Sequence, residues 1–497
     1  MTQETVAEFR NRRHHEESDP TFGKPKEECG IFAVWNDEDA AAHTALGLHA
    51  LQHRGQDGAG IVAYDGKTFN AHRGAGHVGE IFSSEKVINH LKGPAAIGHN
   101  RYATSGGSAA RNIQPIYADM SFGGFAVAHN GNLTNAYTIR EELRQHGALF
   151  QSTSDTEVIV HLMARSVRNS PVDRLIEALQ GIEGAYSLVC MTKDCIIGVR
   201  DPRGVRPLVL GKLGDSYVLT SETCALDIFG ADFVRDVEPG EVVVVSDKGL
   251  ESYKPFAAKP PKPCIFEFLY FARPDSMWLG RDVYEVRKLV GHELHRETPV
   301  DADVVVPVPD SGVPAALGYA EASGIPFELG IIRNHYVGRT FIEPTQQIRN
   351  LGVRLKHNAN KARLNGKRVI LVDDSIVRGT TMVKIVEMVR LAGAKEVHLR
   401  IAAPPTANPC FYGINTPSQD QLLAHKMPVQ DMAEFVGADS LEFISVDGLY
   451  RAVGEAKRNM DTPQFCDACF TGDYPTKLED HMSENADKLQ LSLLAET

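Results

Sequence analysis

The sequence predicts two domains of different class: an α+β layered domain, then an α/β domain with a parallel sheet. Three observations predict them. A chain of 497 residues exceeds what one hydrophobic core holds. From residue 29 to about 250 short apolar runs alternate with turn residues, whereas beyond about 300 the runs are continuous and separated by helical stretches. Between the two lies YKPFAAKPPKPC, 253–264, whose prolines read as a stiff linker.

The first-domain strands are GIFAVW, GIVAY, AAIGHNRY, FAVAHNG, YSLVCM, CIIGV, PLVLG, YVLTS and EVVVV. Two helical segments interrupt them, one over roughly 40–52 and one after Ser154-Asp155-Thr156-Glu157. That tetrad has the form of a capping box, in which Ser154 and Glu157 satisfy each other's backbone N–H groups. Ile159, Leu162 and Met163 then share a helical face. Strands with grouped helices make a layered α+β domain. In the second domain DVVVPV (303–308), RVILV (368–372), VHLRIA (397–402) and LEFISV (441–446) are expected as buried parallel strands of a doubly wound unit. From about 476 the chain reads as a loose helix or polar tail. No internal repeat is present.

Composition excludes several functions. The net charge of −12, without a basic block, argues against nucleic acid or an anionic membrane as the main partner. No apolar run approaches the roughly 20 residues needed to span a bilayer. The first 28 residues carry Arg10, Arg12, Arg13, Glu16 and Glu17 but no apolar core, so they are not a secretory signal, and a cytoplasmic protein is expected. Eight cysteines in this length do not make a disulfide scaffold. Cys190 and Cys195 lie in strand-like runs and read as core; Cys224 has no functional context. Five remain.

VILVDDSIVRGTTMVKIVEMV places two aspartates after an apolar strand and a Ser/Gly/Thr loop before an amphipathic helix. Ligands of open α/β sheets sit just past the carboxyl ends of strands. Gly379, Thr380 and Thr381 offer N–H groups, hydroxyls and the positive end of a helix dipole, which together suit a phosphate. Asp373 and Asp374 suit sugar hydroxyls and Mg2+. The alternative is an ordinary turn with solvent-facing acids. VDDSIVRGTT resembles the phosphoribosyl pyrophosphate (PRPP) loop of type I phosphoribosyltransferases, and PVPDSG (307–312) falls where that family has its pyrophosphate loop. The resemblance implies that Asp373 and Asp374 meet the ribose and that Ser375, Arg378, Gly379, Thr380 and Thr381 hold the 5′-phosphate. It also implies Ser311 as a contact of the Mg2+ site. RNHYVGRTFIEP (333–344) resembles the lid over PRPP in the amidotransferase branch, with Arg333 and Arg339 toward PRPP; this chain has His335 where that pattern commonly has arginine.

EECGIFAVWN (27–36) opens a strand with Cys29 behind a 28-residue polar preamble. Alone it reads as a core cysteine. As the first residue of a mature chain it would have a free α-amine beside its thiol. The amine's reference pKa, about 7.7–8.0, lies below the thiol's, about 8.5, so it can act as the base. CGIFAVW, LQHRGQDGAGI, GHNRYATSG, AHNGNL and SDTE follow in an order that resembles the glutaminase domain of N-terminal-nucleophile amidotransferases. The resemblance implies cleavage after Glu28, attack by Cys29 on the glutamine amide, and an oxyanion hole from Asn130 and Gly131. It further implies Arg101 on the glutamine carboxylate, Asp155 on its ammonium, and Arg54 and Thr104 completing the pocket. Asn130-Gly131 also has the form of a hairpin turn, and Asp155 that of a first-turn acid.

Cys264, Cys410, Cys466 and Cys469 are left, the last two as C-x-x-C. Four thiolates suit a [4Fe–4S] cluster or a four-cysteine zinc site. FCDACF, NPCFYG and PCIFEF resemble ligand segments of the iron–sulfur branch. Taken whole, the chain is similar to the glutamine PRPP amidotransferase family in its propeptide-containing branch. The implied units are a propeptide (1–28), an N-terminal-nucleophile glutaminase sandwich (29–252), the linker (253–264), a type I phosphoribosyltransferase domain (265–450) and a C-terminal segment (451–497). The resemblance implies synthesis of phosphoribosylamine from glutamine and PRPP, with ammonia channelled between sites. It implies Mg2+, a [4Fe–4S] cluster, a homotetramer and inhibition by purine nucleotides. Glucosamine-6-phosphate and asparagine synthases share the glutaminase pattern but not DDSIVRGTT. A non-catalytic regulator would not need Cys29 and both aspartates, and a plain glutaminase leaves the PRPP loop unexplained.

Overall fold

The computed structural model describes residues 29–102, 110–334, 357–414 and 416–482. The expected propeptide, Thr104, and His335 and Arg339 of the expected lid lie outside these residues.

Two antiparallel sheets face each other in the N-terminal half. The seven-stranded sheet runs Asp232–Asp236, Val209–Leu213, Ser216–Thr220, Gly30–Trp35, Ala95–Arg101, Gly58–Tyr64, Phe69–Ala75. The six-stranded sheet runs Gly249–Tyr253, Val242–Ser246, Cys195–Arg200, Gly184–Met191, Gly123–Leu133, Ile116–Met120. Strand side chains alternate, so Ile31, Ala33 and Ile97 meet Ala126, Ala128 and Val189 between the sheets. Phe32 and Val34 point outward, toward helix Ala40–Ala50. Gly47 lets that helix approach: a Cβ there would sit 2.3 Å from the Phe32 ring. Helices Glu157–Arg165 and Pro171–Leu179 cover the outer face of the second sheet, giving a helix–sheet–sheet–helix sandwich.

Every run expected as a first-domain strand is one. Phe69–Ala75, Ile116–Met120, Asp232–Asp236 and Gly249–Tyr253 are additional, and all four are sheet edges. Helices are more numerous than the two expected, Ala136–Gln145 and Pro171–Leu179 being the longest additions. The capping box is not formed. Thr156 is the N-cap without a side-chain cap bond, and the Glu157 carboxylate instead accepts from the N–H groups of Gln151 (2.7 Å) and Ser152 (2.8 Å).

The C-terminal half holds a four-stranded parallel sheet, Val304–Pro307, Arg368–Asp373, Glu396–Ile401, Ser440–Phe443, on the four runs expected. Val305, Ile370 and Val372 face helices Val283–Glu297 and Val313–Ser323; Val306, Val369 and Leu371 face helix Thr380–Leu391. Burial on both faces is why these runs lack alternation.

The proline-rich stretch is pinned at its end. Lys262 N–H donates to Arg203 O at 2.7 Å, Cys264 N–H to Val205 O at 3.1 Å, and Cys466 N–H to Pro263 O at 2.8 Å. Ala185 and Val205 of the sandwich share a core with Phe266, Phe268 and Tyr450. The tail is docked as far as the helix Glu479–Met482. The buried Asp480 carboxylate accepts from Tyr137 N–H (2.7 Å) and Thr138 N–H (3.0 Å), and so caps helix Ala136–Gln145, whose own N-cap Asn135 makes no such bond. Asp480→Ala therefore lowers stability by about 1–2 kcal/mol, measured as a lower urea midpoint.

Candidate active site

Gly30–Trp35 is the middle strand of its sheet, and Gly30 pairs with Asn100, so Cys29 emerges opposite Arg101. Gly55 permits the HRGQDG turn to press against that neighbour, since a Cβ there would stand 2.8 Å from the carbonyl carbons of Asn100 and Arg101. The buried Cys29 Sγ lies 3.7 Å from Tyr102 O, and its carbonyl accepts from Arg54 Nε at 3.3 Å. The Arg54 guanidinium is buried between two carboxylates. It donates to Glu222 Oε1 at 2.5 Å, to Glu267 Oε1 at 2.7 Å and to Glu267 Oε2 at 3.1 Å. Glu222 also meets His53 Nε2 at 2.7 Å. Burial alone would raise the Glu222 carboxyl, but His53 and Arg54 hold it well below the usual range. Arg54 thus reaches the expected nucleophile through that residue's own carbonyl.

Burial lowers the Arg101 guanidinium, and the charges of Cys29, Asp57 and Asp155 oppose this, which places two of the expected groups, Cys29 and Asp155, near it. Asn130 and Gly131 do not form a turn. They lie inside strand Gly123–Leu133, opposite Ser187 and Tyr186. Gly131 has φ +142°, and a Cβ there would meet Ala185 O at 2.1 Å, so only glycine fits. The Asn130 side chain is wholly buried, and neither its nitrogen nor its oxygen has a hydrogen-bond partner among the described residues.

Asp155 does not open the helix; its carboxylate accepts from Thr156 N–H (2.8 Å) and Leu133 N–H (3.0 Å), with His129 Nδ1 at 3.6 Å. Burial would raise it, yet His129 and these N–H groups keep it below its ordinary value, hence anionic. His99 is pushed down to about 3 by burial and stays neutral. His129, Glu222 and Glu267 escaped the sequence reading. His129 sits inside AHNGNL, whereas nothing local marks Glu222 or Glu267.

At the carboxyl ends of the parallel strands Asp373 and Asp374 are adjacent and buried. Asp373 Oδ1 accepts from Asp374 N–H at 2.9 Å, and Asp374 Oδ2 from Ser375 Oγ at 2.6 Å. Gly379, φ +78°, is the N-cap of helix Thr380–Leu391 and supplies no side-chain cap. Arg378 donates to Gln421 Oε1 at 2.5 Å. The PVPDSG loop closes on the same strand end: Val308 N–H donates to Val372 O at 2.8 Å, and a Cβ on Gly312 would meet that oxygen at 2.4 Å. Ser311 thus precedes a glycine packed against the carbonyl of the residue before Asp373. Arg333 forms an ion pair with Asp310 of this loop.

Cys264, Cys410, Cys466 and Cys469 line one small pocket, with Tyr412 and Tyr474 among its other walls. Burial pushes the Cys466 thiol up to about 12 and the Cys469 thiol well above its ordinary value, neighbouring cysteines adding to both. Cys190, Cys195 and Cys224 are buried elsewhere, and all eight cysteines are unbridged.

Removing the Arg54 cation takes from two buried carboxylates the counter-ion they share, leaving His53 beside Glu222 and Arg206 beside Glu267. Arg54→Met is expected to destabilise the fold by about 3–5 kcal/mol, measured by chemical denaturation.

Residues 99–227 match the family model described as a glutamine amidotransferase domain, and residues 285–408 that of a phosphoribosyl transferase domain. Amidophosphoribosyltransferase of Rhizobium etli is 57% identical, over 94% of this chain and 96% of its own length. The Bacillus subtilis protein of that name is 48% identical over 91% of this chain. The solved structure of B. subtilis glutamine PRPP amidotransferase complexed with ADP and GMP aligns with a TM-score of 0.86 and 47% identity, covering 90% of this chain and 98% of that one. No helix among the described residues is long and apolar enough to cross a membrane. With both catalytic units matched in one chain, and these relatives aligned over nine-tenths of it, this protein belongs to the amidophosphoribosyltransferase family, the glutamine amidotransferases of purine biosynthesis.

Proposed function

We propose that this enzyme makes 5-phosphoribosylamine through two sites, with Cys29 and Asp373–Asp374 at their centres. Glutamine, PRPP and water give phosphoribosylamine, glutamate and pyrophosphate. The observation that carries the first site is the buried Asn130 amide without a partner, one residue from Gly131 and its enforced backbone. A buried donor left unmet costs about 1–3 kcal/mol, which an incoming oxyanion recovers.

In the proposed sequence, cleavage after Glu28 frees the Cys29 amine, which takes the thiol proton. The thiolate attacks the side-chain amide carbon of glutamine, and the oxygen that becomes negative faces Asn130 Nδ2 and the Gly131 N–H. Ammonia leaves, and water hydrolyses the thioester to glutamate. Arg101 pairs with the substrate carboxylate and Asp155 with its ammonium, while Thr104 completes the pocket. Arg54 acts on it by fixing the Cys29 carbonyl. Ammonia then passes to the second site without reaching bulk solvent.

There Asp373 and Asp374 hold the ribose hydroxyls, and residues 375–381 hold the 5′-phosphate, with Arg339 assisting. Ammonia attacks the anomeric carbon as pyrophosphate departs. Adjacent carboxylates with Ser311 nearby fit Mg2+, which keeps several non-protein oxygens. Among the described residues no three His, Cys, Asp or Glu could hold an ion alone, so PRPP oxygens would complete the sphere. Bound there, Mg2+ supplies neutralisation of the leaving pyrophosphate.

The four-thiol pocket fits a [4Fe–4S] cluster held by Cys264, Cys410, Cys466 and Cys469. Four cysteines lining one pocket suit either a cluster or a zinc ion, and the likeness of FCDACF, NPCFYG and PCIFEF to ligand segments of the iron–sulfur branch favours the cluster. Its role is structural, since the ligands join linker, second domain and tail. Eight unbridged cysteines support a cytoplasmic enzyme. The ADP and GMP in the B. subtilis neighbour support purine nucleotides as inhibitors, and the family supports a homotetramer.

Pyrophosphate release should require both glutamine and PRPP. In Cys29→Ala it should fail with glutamine yet proceed with ammonia. Asn130→Ala should lower glutaminase kcat by about 10²–10³. Retention of glutaminase activity by either variant would sink the first-site assignment. Intact mass should show a mature chain beginning at Cys29, and the pure protein should contain iron and absorb near ~400 nm.

A further inference from the structure

Residues 410–413, Cys-Phe-Tyr-Gly, run from the four-thiol pocket to the strand that carries Asn130 and Gly131. At one end Cys410 Sγ accepts from Tyr412 N–H at 3.3 Å. Tyr412 O then accepts from Arg206 Nε at 2.8 Å, and Phe411 O from Asn132 Nδ2 at 3.0 Å. At the other end Gly413, φ +111°, lies against Gly131 itself. A Cβ on Gly413 would stand 3.0 Å from the Cα and carbonyl carbon of Gly131 and 3.1 Å from its oxygen. Along its own Cβ direction Gly131 is closed by Ala185 O, 2.1 Å from where that Cβ would be. Gly131 is therefore packed against two backbones, neither of which can swing aside as a side chain could.

We propose that Gly413 is a positioning residue for the glutaminase half-reaction, its bare Cα fixing the place of the Gly131 Cα and through it the aim of the Gly131 N–H. This rests on the assignment of Asn130 and Gly131 as the oxyanion hole. An oxyanion donor works only when aimed at the place where charge develops, and errors well under 1 Å are costly. An alanine at 413 cannot fit without displacing one backbone by a few tenths of an ångström, and it is strained at this φ. Because the same loop bonds to Cys410 Sγ, the thiol pocket and the glutamine site share a brace.

The test uses the full-length enzyme with Gly413→Ala. Glutaminase kcat is expected to fall by about 10–100-fold, with KM for glutamine within about threefold and ammonia-dependent pyrophosphate release within about twofold of the parent. Asn132→Ala, which removes the bond to Phe411 O, is expected to lower the same kcat less while sparing the same reaction. Glutaminase kcat unchanged in both variants overturns the proposal. So does a parallel fall of ammonia-dependent activity, the mark of a merely structural glycine. Cys29→Ala measured alongside separates the two levels: if it keeps glutaminase activity, the site assignment has failed and not the role of Gly413.

Discussion

Two arginines and two glutamates, Arg54, Arg206, Glu222 and Glu267, meet where water does not reach. Ions placed there without partners would be very costly, so their mutual neutralisation fixes where the surrounding segments sit. Arg54 comes from the HRG turn, Glu222 from the end of a sandwich strand, and Glu267 from beyond the linker. From Glu267 the path to the Cys29 carbonyl is a single side chain, Arg54. A buried ion set of this kind adds little net stability compared with apolar packing. Its contribution is geometric, since only one arrangement of the three segments leaves no charge unmatched.

The two halves of the enzyme are consequently one packed body at this seam. Ala185 and Val205, on the sandwich side, lie in the same core as Phe266 and Phe268. Arg206, between them and the ion set, also holds Tyr412 O. The proposed glutamine site is thus walled on one side by residues that follow it by more than 200 positions. The proposed PRPP site, by contrast, is built locally from the ends of two parallel strands and the loops after them.

That difference decides what could be read from the sequence. Asp373 to Thr381 is contiguous and follows an apolar strand, so the strand and the helix after it were visible, and the proposed phosphate cradle lies between them. The nine central strands of the sandwich were visible for the same reason, because each is buried on both faces. Its four edge strands, such as Asp232–Asp236 with only part-buried or exposed residues, carry no apolar signal and were missed. The SDTE tetrad misled because its spacing fits a cap, while the preceding loop folds back to bond Glu157 and a neighbouring strand holds Asp155 through Leu133. Glu267 and Gly413 were illegible as site residues, since what they do depends on partners that only folding brings near.

The docking of Asp480 on helix Ala136–Gln145 has a consequence for synthesis. Ribosomes deliver the amino end first, and domains commonly fold as they emerge. Here the sandwich can assemble its sheets early, and Glu267 joins its ion set soon after the linker emerges, but its helix lacks its cap until the codon for Asp480 is read. The first half therefore stays an unfinished shell while the second is being made, completed from outside by a stretch that leaves the tunnel long after it.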